Sequence, residues 1–355
     1  MVAEPGTVAP MEQRQLGRTG LRVSHLGLGT MTWSRDTDEH EAAEQLRDFV
    51  DAGGTLLDTA ASYADGASEA LIGSLLGSVV PREEIVLCTK GGVRRTATGG
   101  VVDASRGALL ASLDGSLARL GTDHVDLWLV QTPDPRTPLA ETVSAMRFAV
   151  TSGRARYVGL SNHPGWQTAR AATLLGDDVG LAAVEVEYSL LQRGVEREVL
   201  PAAADLGIGV LAWSPLGRGV LTGKYRRTIP ADSRAASPHL AGFVEPYLGA
   251  GSLSVVEAVA TAAQGLGRSP LEVALAWLRV RNQVSSAIIG ARTAAQLRGS
   301  LAAESLELPA EIIYALDEVS APARCPSSRP SRRRRRGWAG LRSRSPWPGC
   351  ACAGR

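Results

Sequence analysis

Between His25 and Ser305 the chain repeats one rhythm: a short, nearly all-apolar run, then a longer stretch whose apolar residues recur every three to four positions. HLGLG precedes DEHEAAEQLRDFVDAG, TLLD precedes ASEALIGSLLGSVV, EIVLCTK precedes SRGALLASLDGSLARLG, and VDLWLVQ precedes PLAETVSAMRFAVTSG. The second half continues with ARYVGLS and WQTARAATLLG, LAAVEVE and VEREVLPAAADLG, GIGVLAW and a helix beyond a long loop, then SSAIIGA and TAAQLRGSLAAES. Strands apolar on both faces belong in a parallel sheet covered by helices. Eight such units in about 300 residues predict an α/β fold, a (β/α)8 TIM barrel. A doubly wound sheet produces the same alternation and stands as the second choice.

The flanks break the rhythm. QRQLGRTGLRVS (Gln13–Ser24), with glycines at 17 and 20, predicts an N-terminal β-hairpin. Ser214 to about Gly251 is rich in Gly, Pro and Arg and has no period, as befits a loop that covers a ligand. Ser269 and Pro270 supply the N-cap and first-turn proline of one further packing helix. Residues 1–11 and the basic tail 322–355 show no periodicity and are expected to be disordered, leaving one barrel domain over 12–321.

Charge changes the picture of that tail. The formal net charge is +2, yet Ala321 to Arg355 holds ten arginines and no acid, so residues 1–320 carry −8. A basic arm could seek nucleic acid or an anionic membrane. Its Arg/Pro/Ser/Gly/Cys/Trp vocabulary is instead what a GC-rich gene yields out of frame, so the natural chain is expected to end near Pro322, with neither partner. Cys325, Cys350 and Cys352 also lie there; Cys88 alone is left to the body, and no disulfide framework is available. No apolar run reaches the ~18 residues of a membrane helix and no signal peptide opens the chain, so a cytoplasmic location is expected.

In a barrel of this kind the polar residues that end the strands face the active site. They are Thr30, Asp58, Lys90, Gln131, Ser161 with Asn162, Glu185 with Glu187, Ser214 and Arg292. The chain uses Arg 36 times and Lys twice, at 90 and 224, so a lysine kept at a strand end points to a role a guanidinium cannot fill. Asp58 and Tyr63 share one short loop. A phenol beside a carboxylate-paired lysine makes a general acid, the cation being expected to lower its pKa from ~10. Strand four ends in Gln131, an amide that hydrogen-bonds but cannot titrate. Of the five histidines only His163 falls near the rim, in what reads as an exposed loop; His124 is at the wrong end of strand four. Gly27-Leu-Gly29 lacks the third glycine of a dinucleotide fingerprint, Gly219 to Tyr225 is too short for a phosphate loop, and no metal is expected.

Taken in order, LGRTGLRVSHLGLGTM, GGTLLDTAASY, LCTKGG, DLWLVQTPDP, GLSN, VEYSL, WSPLGRGVLTGKY and IIGARTAAQL resemble an aldo-keto reductase, of the actinobacterial type, over residues 12 to about 320. The resemblance implies an NADP-dependent oxidoreductase that uses NADPH/NADP+ to reduce a small-molecule carbonyl substrate. It puts the catalytic Asp, Tyr and Lys on Asp58, Tyr63 and Lys90. It assigns Gly29, Thr30, Ser161, Asn162, Glu185, Trp213, Ser214, Pro215, Leu216, Gly217, Gly219, Ile289, Gly290, Arg292 and Gln296 to the cofactor. Trp33, Tyr63, Gln131, His163 and Trp166 then become candidates for the substrate pocket. Two departures stand out. Gln131 occupies the position where catalytic members carry histidine, as in the potassium-channel β-subunits, whose weakly catalytic, nucleotide-sensing role is the alternative reading; reduction of activated C=C bonds is a third. Glu185 replaces a glutamine, and as a carboxylate it should favour cationic NADP+ over NADPH.

Overall fold

A computed structural model describes residues 11–96, 99–231, 233–237 and 240–321. Residues 1–10, His239 and the Arg-rich tail, about which the sequence raised expectations, lie outside the described residues. β1 (Gln13–Gln15) and β2 (Arg22–Ser24) form the antiparallel hairpin. The barrel strands are β3 (Leu26–Gly29), β4 (Leu56–Asp58), β5 (Val86–Gly91), then, beyond a second hairpin of β6 (Val93–Thr96) and β7 (Gly99–Val102), β8 (Val125–Val130), β9 (Ala155–Ser161), β10 (Ala183–Glu187), β11 (Gly209–Trp213) and β12 (Val284–Gly290). They pair in parallel in the order β3-β4-β5-β8-β9-β10-β11-β12 and close back on β3. The doubly wound alternative is thereby excluded.

The helices are α1 (Glu39–Asp51), α2 (Ala67–Leu75), α3 (Arg106–Leu120), α4 (Leu139–Thr151), α5 (Gly165–Val179), α6 (Val199–Leu206), α7 (Ala241–Val244), α8 (Ala250–Leu266), α9 (Pro270–Arg279), α10 (Ala294–Leu301) and α11 (Ala310–Ser320), and all but the short α7 and α11 fall at predicted positions. α9 carries the predicted start. Ser269 caps it and Glu272 returns the bond in a capping box. The β6–β7 hairpin and α11 were not expected, the first because its Arg, Thr and Gly residues do not alternate apolar with polar, the second because few of its residues are buried. Met11, assigned to the disordered N-terminus, is buried and donates its backbone N–H to Ala52.

Strand parity divides the core in two. Leu56, Cys88, Leu127, Leu129, Ala183, Leu211 and Ile288 fill the barrel interior with Leu16 and Val23 of the hairpin, while the larger cluster lies between strands and helices. The hairpin therefore plugs the N-terminal mouth. Gly17 (φ +59°) makes this possible, because a Cβ there would lie 2.4 Å from the Gly207 carbonyl oxygen. Stepping two residues from each interior position toward the strand end reaches Asp58, Lys90, Gln131, Glu185, Trp213 and Gly290. The site is the top layer of the barrel interior.

Candidate active site

That layer floors a cavity of about 490 Å³ at the C-terminal mouth. Lys90 is its centre. The ammonium is 2% exposed and donates to Asp58 Oδ1 (2.6 Å), Asp58 Oδ2 (2.7 Å) and the Thr59 carbonyl (2.9 Å). Burial pushes this ammonium down, but Asp58 and Glu185 more than offset it, so Lys90 holds its proton well above the ordinary lysine value. Its Nζ lies 5.4 Å from the centroid of the Tyr63 ring. Here the expected sign fails. Desolvation of the phenol outweighs the pull of Lys90, so Tyr63 titrates above its usual value rather than below it. The phenol is fully protonated at neutral pH, the form a proton donor needs.

Glu185 completes the cluster from β10. Its Oε2 is 3.2 Å from Lys90 Nζ but forms no hydrogen bond of acceptable geometry. Burial, then the charge of Asp58, raises this carboxyl to about 8 against the opposing pull of Lys90. Glu185 therefore holds its proton to higher pH than an exposed glutamate, against the constant negative charge expected from its residue type. Asp58, Cys88 and Glu185 bring donor atoms within 4.8 Å of one another, a spacing that could hold a metal, but the Lys90 ammonium already supplies the local cation.

Gln131 faces the same cavity. Ser62 Oγ stands 2.9 Å from its Nε2 and 3.0 Å from its Oε1, and Asn162 Nδ2 donates to the Gln131 main-chain carbonyl at 2.9 Å. A single hydroxyl thus fixes the amide plane, and the second N–H of Nε2 can serve a ligand oxygen. Asn162 also donates to Ser161 Oγ (3.0 Å) and accepts from Trp213 Nε1 (3.0 Å), tying three strand ends together. Asn162, Ser214 and Arg218 all adopt positive φ, so backbone strain of order 1 kcal/mol or more per residue gathers at this rim.

Of the residues assigned to the cofactor, Thr30 and Gly217 do not line the cavity, and the others do. Thr30 lies beneath, donating to the Asp58 carbonyl at 3.1 Å. Trp33 and His163 depart from their substrate-pocket assignment. Trp33 is fully buried, with its indole N–H on Gln45 of α1, so it supports the first loop from below. His163 is buried rather than exposed; its Nδ1–H donates to the Ser161 carbonyl, which turns the ring into a separate cavity of about 220 Å³ that Trp166 also lines. Desolvation lowers its pKa to about 4.

Sequence reasoning marked the loop between β11 and α8 but missed Arg218, Lys224, Arg234 and Phe243 on it. Arg218 forms a two-bond ion pair with Glu187 (2.7 and 2.6 Å) and lies 4.0 Å from the Phe243 ring centroid, while Phe243 stacks on Trp213. Lys224, Arg234 and Arg292 line the far end of the cavity, and among the described residues none of them forms an ion pair with an acid. Burial, followed by their mutual repulsion, lowers the pKa of Lys224 and Arg234. Three clustered cations without acids suit a polyanion. Lysine scarcity, which singled out Lys90, could have flagged Lys224 as well.

Residues 25–321 match the profile described as Aldo/keto reductase family. The chain is 38% identical over 320 residues to "Uncharacterized oxidoreductase YrpG" of Bacillus subtilis (strain 168), covering 87% of this chain and 96% of that one. It is 34% identical to the L-glyceraldehyde 3-phosphate reductase of Escherichia coli (strain K12), over 85% of this chain and 90% of the relative. A protein of Oryza sativa subsp. japonica named "Probable voltage-gated potassium channel subunit beta" is 37% identical over 79% of this chain and 87% of its own.

Proposed function

The chain belongs to the aldo/keto reductase family and is an oxidoreductase of it, and from that premise we propose that it reduces an aldehyde, ketone or keto-sugar carbonyl with NADPH. The observation that carries this reading is the convergence of Tyr63, Lys90 and Asp58 on the floor of one cavity. The chain's residues fit the cofactor: Lys224, Arg234 and Arg292, without an acid partner among the described residues, offer cations for its phosphates, and Trp213 offers a flat wall for its ring. Ser161, Asn162 and Glu185 would border the carboxamide, and Ser214 to Gly219 the pyrophosphate. Bound there, NADPH supplies the hydride. Tyr63 gives its proton to the carbonyl oxygen, Lys90 stabilises the phenolate that forms, and Asp58 holds Lys90 in place. The Gln131 amide donates to the same oxygen from its free N–H. Consumption of NADPH with a panel of aldehydes, ketones and enones tests the reading; turnover by wild type and none by Tyr63→Phe is the expected result.

A second reading rests on Gln131 and on the likeness to the rice protein: slow hydride transfer with tightly held nucleotide, as a sensor of nicotinamide redox state. Single-turnover oxidation of bound NADPH separates the two. An enone preference in the same panel points instead to reduction of C=C bonds.

A further inference from the structure

Glu185 has no use in the reaction as described, and the geometry gives it one. Four titratable groups face it: Lys90 and Cys88 from β5, Asp58 from β4 and Tyr63 from the loop after β4. Its β11 neighbour is Leu211, and its β9 neighbour Ser161. Lys90 is the only cation of the set, and its ammonium faces both Asp58 oxygens at 2.6 and 2.7 Å, the Thr59 carbonyl at 2.9 Å and Glu185 Oε2 at 3.2 Å. Asp58 holds the shorter contacts, and the buried Glu185 oxygen is the outer, weaker partner of the same ammonium. One ammonium balances one carboxylate, and a second carboxylate this close cannot also ionise without a further positive charge. Burial raises the Glu185 carboxyl in agreement with this count.

We propose that Glu185 is the proton-holding residue of the site: it rests as the neutral acid and releases its proton when the cationic, oxidised nicotinamide occupies the cavity. The inference rests on the reading that NADP(H) binds here. NADP+ carries on its ring the positive charge that the resting cluster lacks, whereas the ring of NADPH is neutral. During reduction the carbonyl carbon gains a hydride and its oxygen gains the Tyr63 proton. The proton that Glu185 gives up to solvent balances the one that restores the phenol, and Glu185 stays a carboxylate while the oxidised nucleotide is bound. One hydride and one proton leave the site's donors and one alcohol forms. Bulk water returns the proton to Glu185 when NADP+ departs.

The test measures dissociation constants of NADP+ and NADPH from about pH 6 to about pH 9, for wild type and Glu185→Gln, by quenching of tryptophan fluorescence. Taking the ratio of the two constants cancels the titration of the 2′-phosphate they share. In wild type, NADP+ should gain on NADPH by up to about tenfold per pH unit until about pH 8 and level off above it. The ratio should be flat in Glu185→Gln. In weak buffer with an indicator dye, NADP+ should displace about one proton from wild type near pH 7, and NADPH none. A pH-independent ratio in wild type, or binding of NADP+ with no proton released, overturns the inference and leaves the reductase reading standing. Failure of either nucleotide to bind overturns both.

Discussion

Replacing Lys90 with methionine keeps the reach of the side chain and deletes its charge. The ammonium is buried and makes three hydrogen bonds, with a second carboxyl 3.2 Å away. Removing one partner of a buried ion pair costs about 3–5 kcal/mol, because the other is left charged and dry. The cost should depend on pH, and the sign is fixed. Lys90 holds its proton above the ordinary lysine value, so its wild-type contribution is fully present below about pH 10 and is lost only above that. In Lys90→Met the two carboxyls lose their cation and hold protons to higher pH than in the unfolded chain. A native state that binds extra protons loses stability as pH rises from about 4, by about 1.4 kcal/mol per unit for each group titrating. Urea unfolding of nucleotide-free protein should therefore show a deficit of about 1 kcal/mol near pH 5 and about 3–5 kcal/mol near pH 8, with an unchanged m-value. Equal deficits at the two pH values would refute the view that Lys90 exists to neutralise carboxylates. Carbonyl reduction should fall by about 10² or more, since Tyr63 loses its stabilising cation.

Three further outcomes follow from the same geometry. Gln131→His should raise carbonyl reduction and add a pH dependence near ~6.5; an unchanged rate and profile would mean that Tyr63 and Lys90 suffice. Arg234→Leu removes one of the cations that lack an acid partner, and should weaken NADPH by about 1.5–3 kcal/mol while changing NADH much less; equal losses for both would move the 2′-phosphate elsewhere. Gly159→Ala puts a Cβ 2.4 Å from the Ala183 carbonyl oxygen inside the barrel wall and should cost about 1–3 kcal/mol, read as a lower thermal midpoint with the site chemistry intact.

What the sequence alone makes legible divides from the rest along a physical line. A strand apolar on both faces must stop where polar chemistry begins, so Asp58, Lys90, Gln131 and Glu185 were visible as strand ends, and parity then placed them in one layer. Residues on the loop between β11 and α8 obey no period. Arg218, Phe243 and Arg234 reach the cavity through an ion pair, a stacked ring and a local turn that no spacing announces. Trp33 and His163 show the converse: each sits beside the rim in sequence, but a single hydrogen bond, to Gln45 or to the Ser161 carbonyl, turns the ring away. Charge states lay further out of reach, because they depend on which of two opposing effects is larger. Tyr63 was expected to titrate low beside a cation, and burial moves it the other way. Glu185 was expected to carry a charge, yet it is buried and shares a single ammonium with Asp58, and both effects raise its carboxyl. Residue type names the groups that can ionise; burial and the balance of charge around one buried nitrogen decide which of them does.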